Sequence, residues 1–553
     1  MKKHSSIFIC LASFFLTMLF SVQIAYTQSS IIGSWEGIFM NDFKVLVDFS
    51  SNDQNMVEGN IKLFSGENMI QDDKIIHINL SNDKFSFYIP DKETNFEGAL
   101  NDEFTDLSGV FIFPDGSRHD IYLNKKLENT NTFEAFKKLK SKQFSAREIF
   151  ADLAFLHSSL KENHPQLFAY TSESSMDELI EILRSKVDTT SSLEEFYLIT
   201  AKLTEAIHCS HTGVRLPKIY GSSINKFGHY FPLKLFFLND QAFYLTGYQE
   251  KDEAILPGDE ILSINNLPVQ EIIEQIFYII PSEGYNTSTK YHELNRRFNE
   301  LFYFLSDAEH FDITFKAGDK IKRVTVSSKS LDDIDLEPKT IDSKKRMDFN
   351  YVNDMATGIF KVPTFAIPDM DDYLYQLEQV FNDLRAANVQ NLVLDLRDNH
   401  GGHPIFAAQL LSYLTNKDFV YFKKNDAVKE FEPLYHQIQP NALNYQGNIF
   451  VLVNGGCLST TGHLISLLKY HTNAIFIGEE PGSTFRCNDF SIQLTLPNTG
   501  IELNVPRTTF ETAVTGFTLN KPFPIDYRIN STIIDIIDHK DPFIEKVKSL
   551  ING

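Results

Sequence analysis

Hydrophobic and polar positions alternate with a period of two along residues 30–128. Clusters of Asn, Asp and Gly separate five such segments, FKVLVDF, NIKLFSG, KIIHINL, KFSFYIP and VFIFPDG. This alternation is typical of half-buried antiparallel strands. The pattern therefore predicts an antiparallel β barrel or sandwich over these residues. The lone tryptophan, Trp35, is expected in its core, because Trp side chains are highly buried on average.

The period changes to 3.6 over residues 132–222, which predicts a helical segment. Three amphipathic stretches carry the pattern: AREIFADLAFLHSSLKEN, MDELIEILRSKV and SLEEFYLITAKLTEAI. Ser145 fits the N-cap of the first helix. Ser191 and Glu194 fit a capping box at the start of the third.

Short strands with one helix are predicted over residues 228–328. The stretch ILPGDEILSINNLPVQEIIEQI (255–276) has a Pro-Gly turn, a strand, an Asn-Asn turn and a helix. It resembles a PDZ-like module, a domain that binds extended peptides by adding them to a sheet edge. An ordinary β-α insertion is the alternative. The charged, aperiodic residues 329–345 predict a linker.

From residue 346 to 553 strands and helices alternate, as in TGIFKV, NLVLDLR, PIFAAQLLSYL, NIFVLVN and TTGHLISLLKYH. Repeated β-α units of this kind predict an α/β core. With the preceding segments, the chain is expected to be a multidomain α/β protein carrying an additional N-terminal β domain. A length of 553 residues also favours several domains.

Composition and the first residues narrow the functional classes. The net charge of −22 disfavours binding to nucleic acid and to anionic membranes. Residues 1–27 read as a signal peptide, with Lys2 and Lys3 before the apolar run Ile7–Phe20. That run is shorter than the roughly 20 residues needed to span a bilayer. We therefore expect an exported protein, periplasmic or extracellular, that is not an integral membrane protein.

Two blocks carry candidate chemistry, LVLDLRDNHGG (392–402) and VLVNGGCLSTTG (451–462). Each reads as a buried strand running into a glycine-bearing turn, and the second delivers Ser459 at the start of a helix. A serine on a strand–turn–helix beside a glycine turn is how many hydrolases present a nucleophile and an oxyanion hole. A serine hydrolase is the first hypothesis.

These blocks resemble those of the C-terminal-processing, or tail-specific, serine protease family. NAIFIGEEPGS and the closing FPIDYRI also match its pattern, and the resemblance covers about residues 140–550. It implies a crotonase/ClpP-like α/β protease core after a helical segment and a PDZ-like domain. It also implies an endopeptidase that cleaves peptides or protein C-terminal tails without cofactor or metal.

The resemblance assigns the nucleophile to Ser459. Many members use a lysine base, but the corresponding place holds Thr484, and residues 477–488 contain no lysine. Arg486 cannot replace it, since guanidinium does not deprotonate in the useful range. A second branch, typified by the tricorn protease core, uses a Ser-His pair after a helix. Ser210-His211 matches that pair, which implies His211 as general base and Ser210 as the residue orienting its ring.

The remaining roles are less well defined by the sequence. Gly401, Gly402 and the N–H of Thr460 are the expected oxyanion donors. Asp395 and Arg397 are expected to form a structural ion pair or to support the turn. The acid that orients His211 stays open, and Gly462 stands where many relatives have Glu. For the acid the candidates are Glu479, Glu480 and Glu511, and the competing bases are His208 and His463.

Other functions compete with proteolysis. The same core occurs in retinoid-binding modules, so a catalytically degenerate protein binding a hydrophobic ligand or peptide is the alternative. The N-terminal β domain could instead define the role, as a lipid or polymer binder. A metal held by His208, Cys209 and His211 fits no standard zinc spacing. Cys457 as nucleophile is also disfavoured, and the three cysteines left after the signal allow at most one internal disulfide.

Overall fold

The protein's structure is a computed structural model that divides into two compact units, Met1–Ala135 and Phe136–Gly553. It describes residues 31–39, 43–52, 57–65, 68–81, 84–100, 106–114, 116–125, 132–187, 189–247, 255–334, 348–352, 356–367, 369–424 and 428–553. The expected signal peptide lies outside the described residues. None of the described helices combines the length and the apolar composition needed to cross a bilayer.

The first unit contains a closed antiparallel barrel, which confirms the β-domain prediction and selects a barrel over a sandwich. Its interior is filled by the inward-facing alternate residues, including Trp35, whose indole donates to the Ile31 carbonyl at 2.8 Å. Phe87 and Phe96 stack there with ring centroids 4.6 Å apart. The eight strands are β1 Gly33–Phe39, β2 Phe43–Ser51, β3 Val57–Ser65, β4 Asn68–Ser81, β5 Lys84–Ile89, β6 Thr94–Leu100, β7 Asp106–Ile112 and β8 Arg118–Lys125.

The helical segment follows the predicted pattern closely. Ser145 caps the first long helix, and its capping box with Glu148 is complete. The capping box of the third amphipathic helix uses Ser192 and Glu195, one residue later than the predicted pair. The elements are α1 Thr132–Lys140, β9 Gln143–Ser145, α2 Ala146–Asn163, α3 Glu173–Ser185, β10 Thr190–Ser192, α4 Leu193–Glu205, β11 Gly213–Arg215 and α5 Lys218–Phe227.

The next region is an antiparallel sheet in the order β12-β13-β14-β16-β17, with β15 paired to β14. It carries two helices, so the expectation of one helix was wrong. The second, α7, lies along β12, where the Asn295 amide satisfies both the N–H and the C=O of Phe237 at 2.6 and 3.1 Å. The elements are β12 Lys234–Leu238, β13 Gln241–Thr246, β14 Glu260–Ile264, β15 Leu267–Pro268, α6 Val269–Phe277, α7 Thr287–Tyr303, β16 His310–Ala317 and β17 Lys320–Ser327.

The α/β core is a sheet in the order β18-β19-β20-β23-β24-β29, parallel except for β18. Every residue of β20 is buried, as expected for a strand covered on both faces. Its elements are β18 Asp348–Val352, β19 Thr357–Lys361, α8 Met370–Ala386, β20 Asn391–Asp395, α9 Pro404–Ser412, β21 Phe419–Val420, β22 Gln437–Ile438, β23 Asn448–Val453, α10 Thr460–His471, β24 Ile475–Gly478, β29 Tyr527–Arg528, α11 Ile533–Ile537 and α12 Pro542–Asn552.

The Arg397 guanidinium fastens the end of the chain to this core. It binds the Asp395 carboxylate with two hydrogen bonds of 2.9 and 2.8 Å and reaches Asp541, at the start of α12, at 2.8 Å. The predicted structural ion pair is confirmed.

Four strands between β24 and β29 lie outside the core sheet: β25 Arg486–Asp489, β26 Ile492–Thr495, β27 Glu502–Val505 and β28 Thr508–Glu511. β27 pairs with β11 of the helical segment, and β25 pairs with β28. Leu503 and Val505 of β27 share a hydrophobic cluster with Leu203 of α4. The C-terminal third of the chain therefore completes the segment that carries Ser210 and His211.

Candidate active site

The two glycine-bearing turns meet at the carboxyl ends of the adjacent parallel strands β20 and β23. The fully buried Asn399 joins them: its carbonyl accepts from Leu458 N–H at 3.1 Å. Its side-chain oxygen accepts from the Thr461 hydroxyl at 2.7 Å and from Gly401 N–H at 2.9 Å. One amide side chain thus fixes the first turn against the start of α10.

Ser459 sits immediately before α10 in a backbone conformation that is strained for a residue with a side chain, with φ 53° and ψ −124°. The nucleophiles of many hydrolases lie on a tight strand-to-helix turn and have a strained backbone conformation of this kind. Its N–H donates to the Ser483 hydroxyl at 3.0 Å. A Cβ on Gly401 would lie 2.9 Å from Ser459 Cβ, so only glycine allows the first turn to approach this serine.

The predicted oxyanion donors differ in what their N–H groups bind. Gly401 N–H is committed to Asn399. Gly402 stands in an isolated parallel bridge with Phe365 whose two hydrogen bonds use the flanking groups, the Gly401 carbonyl and His403 N–H. The Gly402 carbonyl accepts from the Thr460 hydroxyl at 2.5 Å. Thr460 is the first residue of α10, where a backbone N–H has no partner within the helix.

His211 follows α4 and lies beside Ser210 as the sequence implied. The Ser210 hydroxyl is 3.3 Å from His211 Nδ1, and it donates to the Glu283 carboxylate at 3.2 Å. Ser210 N–H also points at that carboxylate, at 3.4 Å. The backbone of His211 is held by Asn504 of β27, whose amide donates to the His211 carbonyl at 2.6 Å.

Glu283, which was not among the candidate acids, is the carboxylate that the Ser210 hydroxyl connects to His211. It lies between α6 and α7, far from every motif, so nothing in the sequence pattern singles it out. Burial raises the pKa of its carboxyl to about 7, against the lowering effects of the Ser210 hydrogen bonds and the Arg486 charge. Such a shift in a partly enclosed carboxyl next to a Ser-His pair is characteristic of a functional site.

Ser459 and His211 do not share a hydrogen bond in the described part of the chain. The Ser459 hydroxyl contacts the Cys487 thiol, which lies 3.3 Å from His463 Nε2. His211 Nε2 instead faces Asp489 Oδ2 at 3.5 Å. Burial, followed by the nearby charge of His211, lowers the pKa of His463 to about 3, which makes it a weak base.

The other candidates lie in different surroundings. Glu479 accepts hydrogen bonds from Gly455 N–H and the Ser288 hydroxyl, and burial raises the pKa of its carboxyl. Glu511 forms an ion pair with Lys423. His208 packs on Tyr285 with ring centroids 4.7 Å apart. The three cysteines Cys209, Cys457 and Cys487 are buried and free of disulfides.

A cleft of about 140 Å³ opens beside this group and reaches Ser483. It combines aromatic, apolar and charged side chains, as substrate clefts do. Glu283 lines the side of the cleft that faces the Ser-His pair. Thr484, which stands where many relatives have the lysine base, also lines the cleft. Other lining residues are Tyr170, Tyr285, Asn286, Glu480, Pro481, Arg486, Leu519, Lys521 and Pro522.

A buried serine in a strained turn, backed by a glycine turn and accompanied by a Ser-His pair, is the arrangement expected at a serine peptidase site. Residues 356–520 match the model of peptidase family S41.

Two solved structures of mature CPAF are similar to this chain in fold, and one further structure gives a lower score. Mature CPAF complexed with lactacystin is 15% identical and superposes with a TM-score of 0.56, covering 73% of this chain and 98% of that one. Another structure of mature CPAF gives 15% identity and a TM-score of 0.53, with 74% and 98% covered. The photosystem II D1 C-terminal processing protease is 16% identical, with a TM-score of 0.38 and 69% and 93% covered. The sequence has no significant match among curated proteins.

Proposed function

We propose that the protein is an exported serine endopeptidase that cleaves peptides or protein C-terminal tails, with Ser459 as nucleophile and His211 as general base. The observation that carries the proposal is the strained conformation of Ser459 against Gly401, within the residues that match a serine peptidase family model. Strain of about 1–3 kcal/mol persists only where the surrounding structure enforces it, and it concentrates at functional positions.

The hydrogen-bond direction around His211 fits the role of a base. The Ser210 hydroxyl donates to Glu283, so its oxygen is free to accept the Nδ1 proton of His211. That tautomer leaves Nε2 unprotonated and able to take a proton once it turns from the Asp489 carboxylate that it faces. The proposal also requires the Ser459 hydroxyl to turn from Cys487 towards Nε2.

In the proposed reaction, Ser459 Oγ attacks the scissile carbonyl carbon while His211 Nε2 takes the hydroxyl proton. The carbonyl oxygen becomes an oxyanion, which we assign to the N–H groups of Gly402 and Thr460. Gly401 contributes by close approach, because its own N–H is engaged by Asn399. His211 then gives its proton to the leaving amine, and water releases the acyl group by the same steps in reverse.

Ser210 and Glu283 are positioning residues in this scheme. The imidazolium formed during attack carries a positive charge, which a carboxylate one hydroxyl away stabilises. Asp489, 3.5 Å from Nε2, adds negative charge on the other side of the ring.

The cleft beside Ser483 and the sheet region 228–328 are the proposed peptide-binding parts. We take the region as a PDZ-like module that captures the C-terminal part of a substrate. Asn295 already occupies the β12 edge at Phe237, whereas the outer strand β17 has Ile321 70% exposed. The β17 edge is therefore the better place for an added peptide strand.

The test is digestion of a peptide library with free and amidated C-termini, with cleavage sites read by mass spectrometry. Ser459→Ala and His211→Ala should each lower turnover by several orders of magnitude. Ser549→Ala and His436→Ala, two exposed positions, are matched controls and should leave it unchanged. A folded wild-type protein that cuts nothing would favour the binding-protein alternative, for which the Ser459–Cys487 contact is the supporting observation.

A further inference from the structure

A second cluster of chemically capable side chains lies between α7 and the turn that carries Gly401 and Gly402. It consists of His292 and Glu293 of α7 and His400 of the turn. One donor atom from each lies within 4.8 Å of the others. The rings of His292 and His400 pack edge to face, with an interplanar angle of 74° and centroids 5.6 Å apart.

His292 is a member of this cluster, and one of its ring nitrogens lacks a hydrogen-bond partner in the described part of the chain. Among the described residues, its buried Nε2 has no partner, although a buried polar atom normally has one. Its Nδ1 is 3.6 Å from the Asp398 carboxylate. A Cβ on Gly456 would come within 2.8 Å of Nε2, so a glycine there makes room for the ring.

The surroundings and the donor types of this cluster fit a transition-metal ion. Asp398 beside Nδ1 favours the tautomer that leaves Nε2 unprotonated, the arrangement that commonly orients metal-binding histidines. Two imidazoles and one carboxylate suit Zn²⁺ and its neighbours, whereas Mg²⁺ and Ca²⁺ prefer oxygen ligands.

We propose that His292, Glu293 and His400 form a binding site for a zinc-like divalent transition-metal ion. The site goes beyond the proposed peptidase function and does not depend on it. Three protein ligands leave one coordination position for water or an added ligand. A bound ion would join α7 of the PDZ-like region to the oxyanion turn and restrict their movement against each other.

Arg296 is the built-in competitor for this ion. Its guanidinium contacts both oxygens of the Glu293 carboxylate, at 3.2 and 2.5 Å, and Arg297 is 3.8 Å from one of them. The Arg296 side chain is 49% exposed. Ion pairs with exposed partners contribute little, so a divalent ion can displace the guanidinium. Removing Arg296 should strengthen metal binding.

The test is titration of the purified, metal-free protein with ZnCl₂ by calorimetry, and with CoCl₂ by visible absorption. The wild type should bind one ion per chain, and the cobalt form should show the intense bands of a low-coordinate N/O site. His400→Ala and Glu293→Gln should each weaken binding at least about tenfold. Arg296→Gln should tighten it, and the exposed His436→Ala should change nothing.

Circular dichroism distinguishes the loss of metal ligands from the loss of the fold. We expect His400→Ala to misfold least, because His400 lies in a turn. The proposal is overturned if the wild type binds no ion, or if the folded His400→Ala and Glu293→Gln variants bind as tightly as wild type. Arg296→Gln supplies an independent check, since weaker binding in that variant would contradict the competition. Because no readout uses peptide cleavage, failure here leaves the peptidase proposal intact.

Discussion

The Ser210 hydroxyl donates to Glu283 at 3.2 Å, which joins the segment after α4 to the loop between α6 and α7. The surroundings of the proposed catalytic base therefore come from the helical segment and the sheet region 228–328 together. Under the proposed function, a peptide bound to that region would lie on the same part of the chain as the carboxylate that Ser210 contacts. Glu283 is the natural first residue to vary.

Glu283→Gln should change how stability depends on pH. The folded-state pKa of about 7 lies above the ordinary 4.5, so the native state binds the extra proton between these values. The free energy of unfolding of the wild type should therefore fall as the pH rises from about 4.5 to about 7 and then level off. Denaturant titrations across this range should show a shallower fall in Glu283→Gln.

Glu181→Gln, at a surface position 72% exposed, is the control and should keep the wild-type slope. The Glu283 variant should also lower kcat more than it raises KM, on the order of ten- to a thousandfold, because charge opposite the imidazolium matters in the transition state. Equal slopes in all three proteins would contradict the raised pKa of Glu283, and an unchanged kcat would contradict its role as a positioning residue.

Thr460→Val should disturb the proposed oxyanion-binding turn at Gly401 and Gly402 while leaving the nucleophile Ser459 in place. It removes the hydroxyl that donates to the Gly402 carbonyl at 2.5 Å. We expect kcat to fall about tenfold or more with KM little changed, since the affected N–H groups act on the transition state. Steady-state kinetics on a cleaved library peptide provide the measurement. Thr460→Ser keeps the hydroxyl and should restore most of the rate; a variant pair with equal rates would argue against this assignment.

Cys487→Ala tests whether the thiol beside Ser459 takes part in the chemistry. Burial raises the pKa of this thiol well above its usual value, so it is a poor nucleophile near neutral pH. We expect the variant to retain turnover within about tenfold of wild type, by comparison with the much larger losses on removing a true nucleophile. Cys457→Ala, another buried thiol, is the matched control. A loss as deep as that of Ser459→Ala would make Cys487 part of the mechanism.

Gly462→Ala should destabilise the fold although it lies inside a helix. A Cβ there would come within 2.4 Å of the Ser483 backbone, whose side chain holds Ser459 N–H. Overpacking costs about 1–3 kcal/mol, more than the about 1 kcal/mol that alanine gains over glycine in a helix. Urea denaturation should report the net loss. At Gly221 in α5 an added Cβ meets nothing within 4 Å, so Gly221→Ala should stabilise the protein. If both variants changed the free energy of unfolding in the same direction, this reasoning would be contradicted.

Local patterns predicted much of the architecture. The period of two in the first unit, the period of 3.6 at Ala146–Asn163 and the helix expected at Thr460–His471 correspond to observed strands and helices. The second helix of the region 228–328 was missed, because Thr287–Tyr303 is rich in polar residues along its length. The pairing of β11 with β27 was also beyond prediction, since short strands distant in sequence leave no periodic signal.

The residues of the candidate site also divide into those that the sequence predicted and those that it did not. Ser459, His211 and the glycine turn stand in motifs whose local order is visible in the chain, and the departure at Gly462 now has a steric reason in Ser483. Glu283, Asp489 and the His292–His400 pair reach their partners only through tertiary folding. A lone Glu in a loop and single histidines have many ordinary explanations, so sequence alone does not select them.

The pairing of β11 with β27 also governs when the protein can become active. His211 is made early in translation, but Asn504, which holds its carbonyl, lies within the last tenth of the chain. Long-range strand pairing is slow and must wait for both partners. A nascent chain that already contains Ser459 and His211 therefore still lacks an ordered base. Synthesis would therefore pass Asn504 before the proposed peptidase could act on its neighbours or on itself.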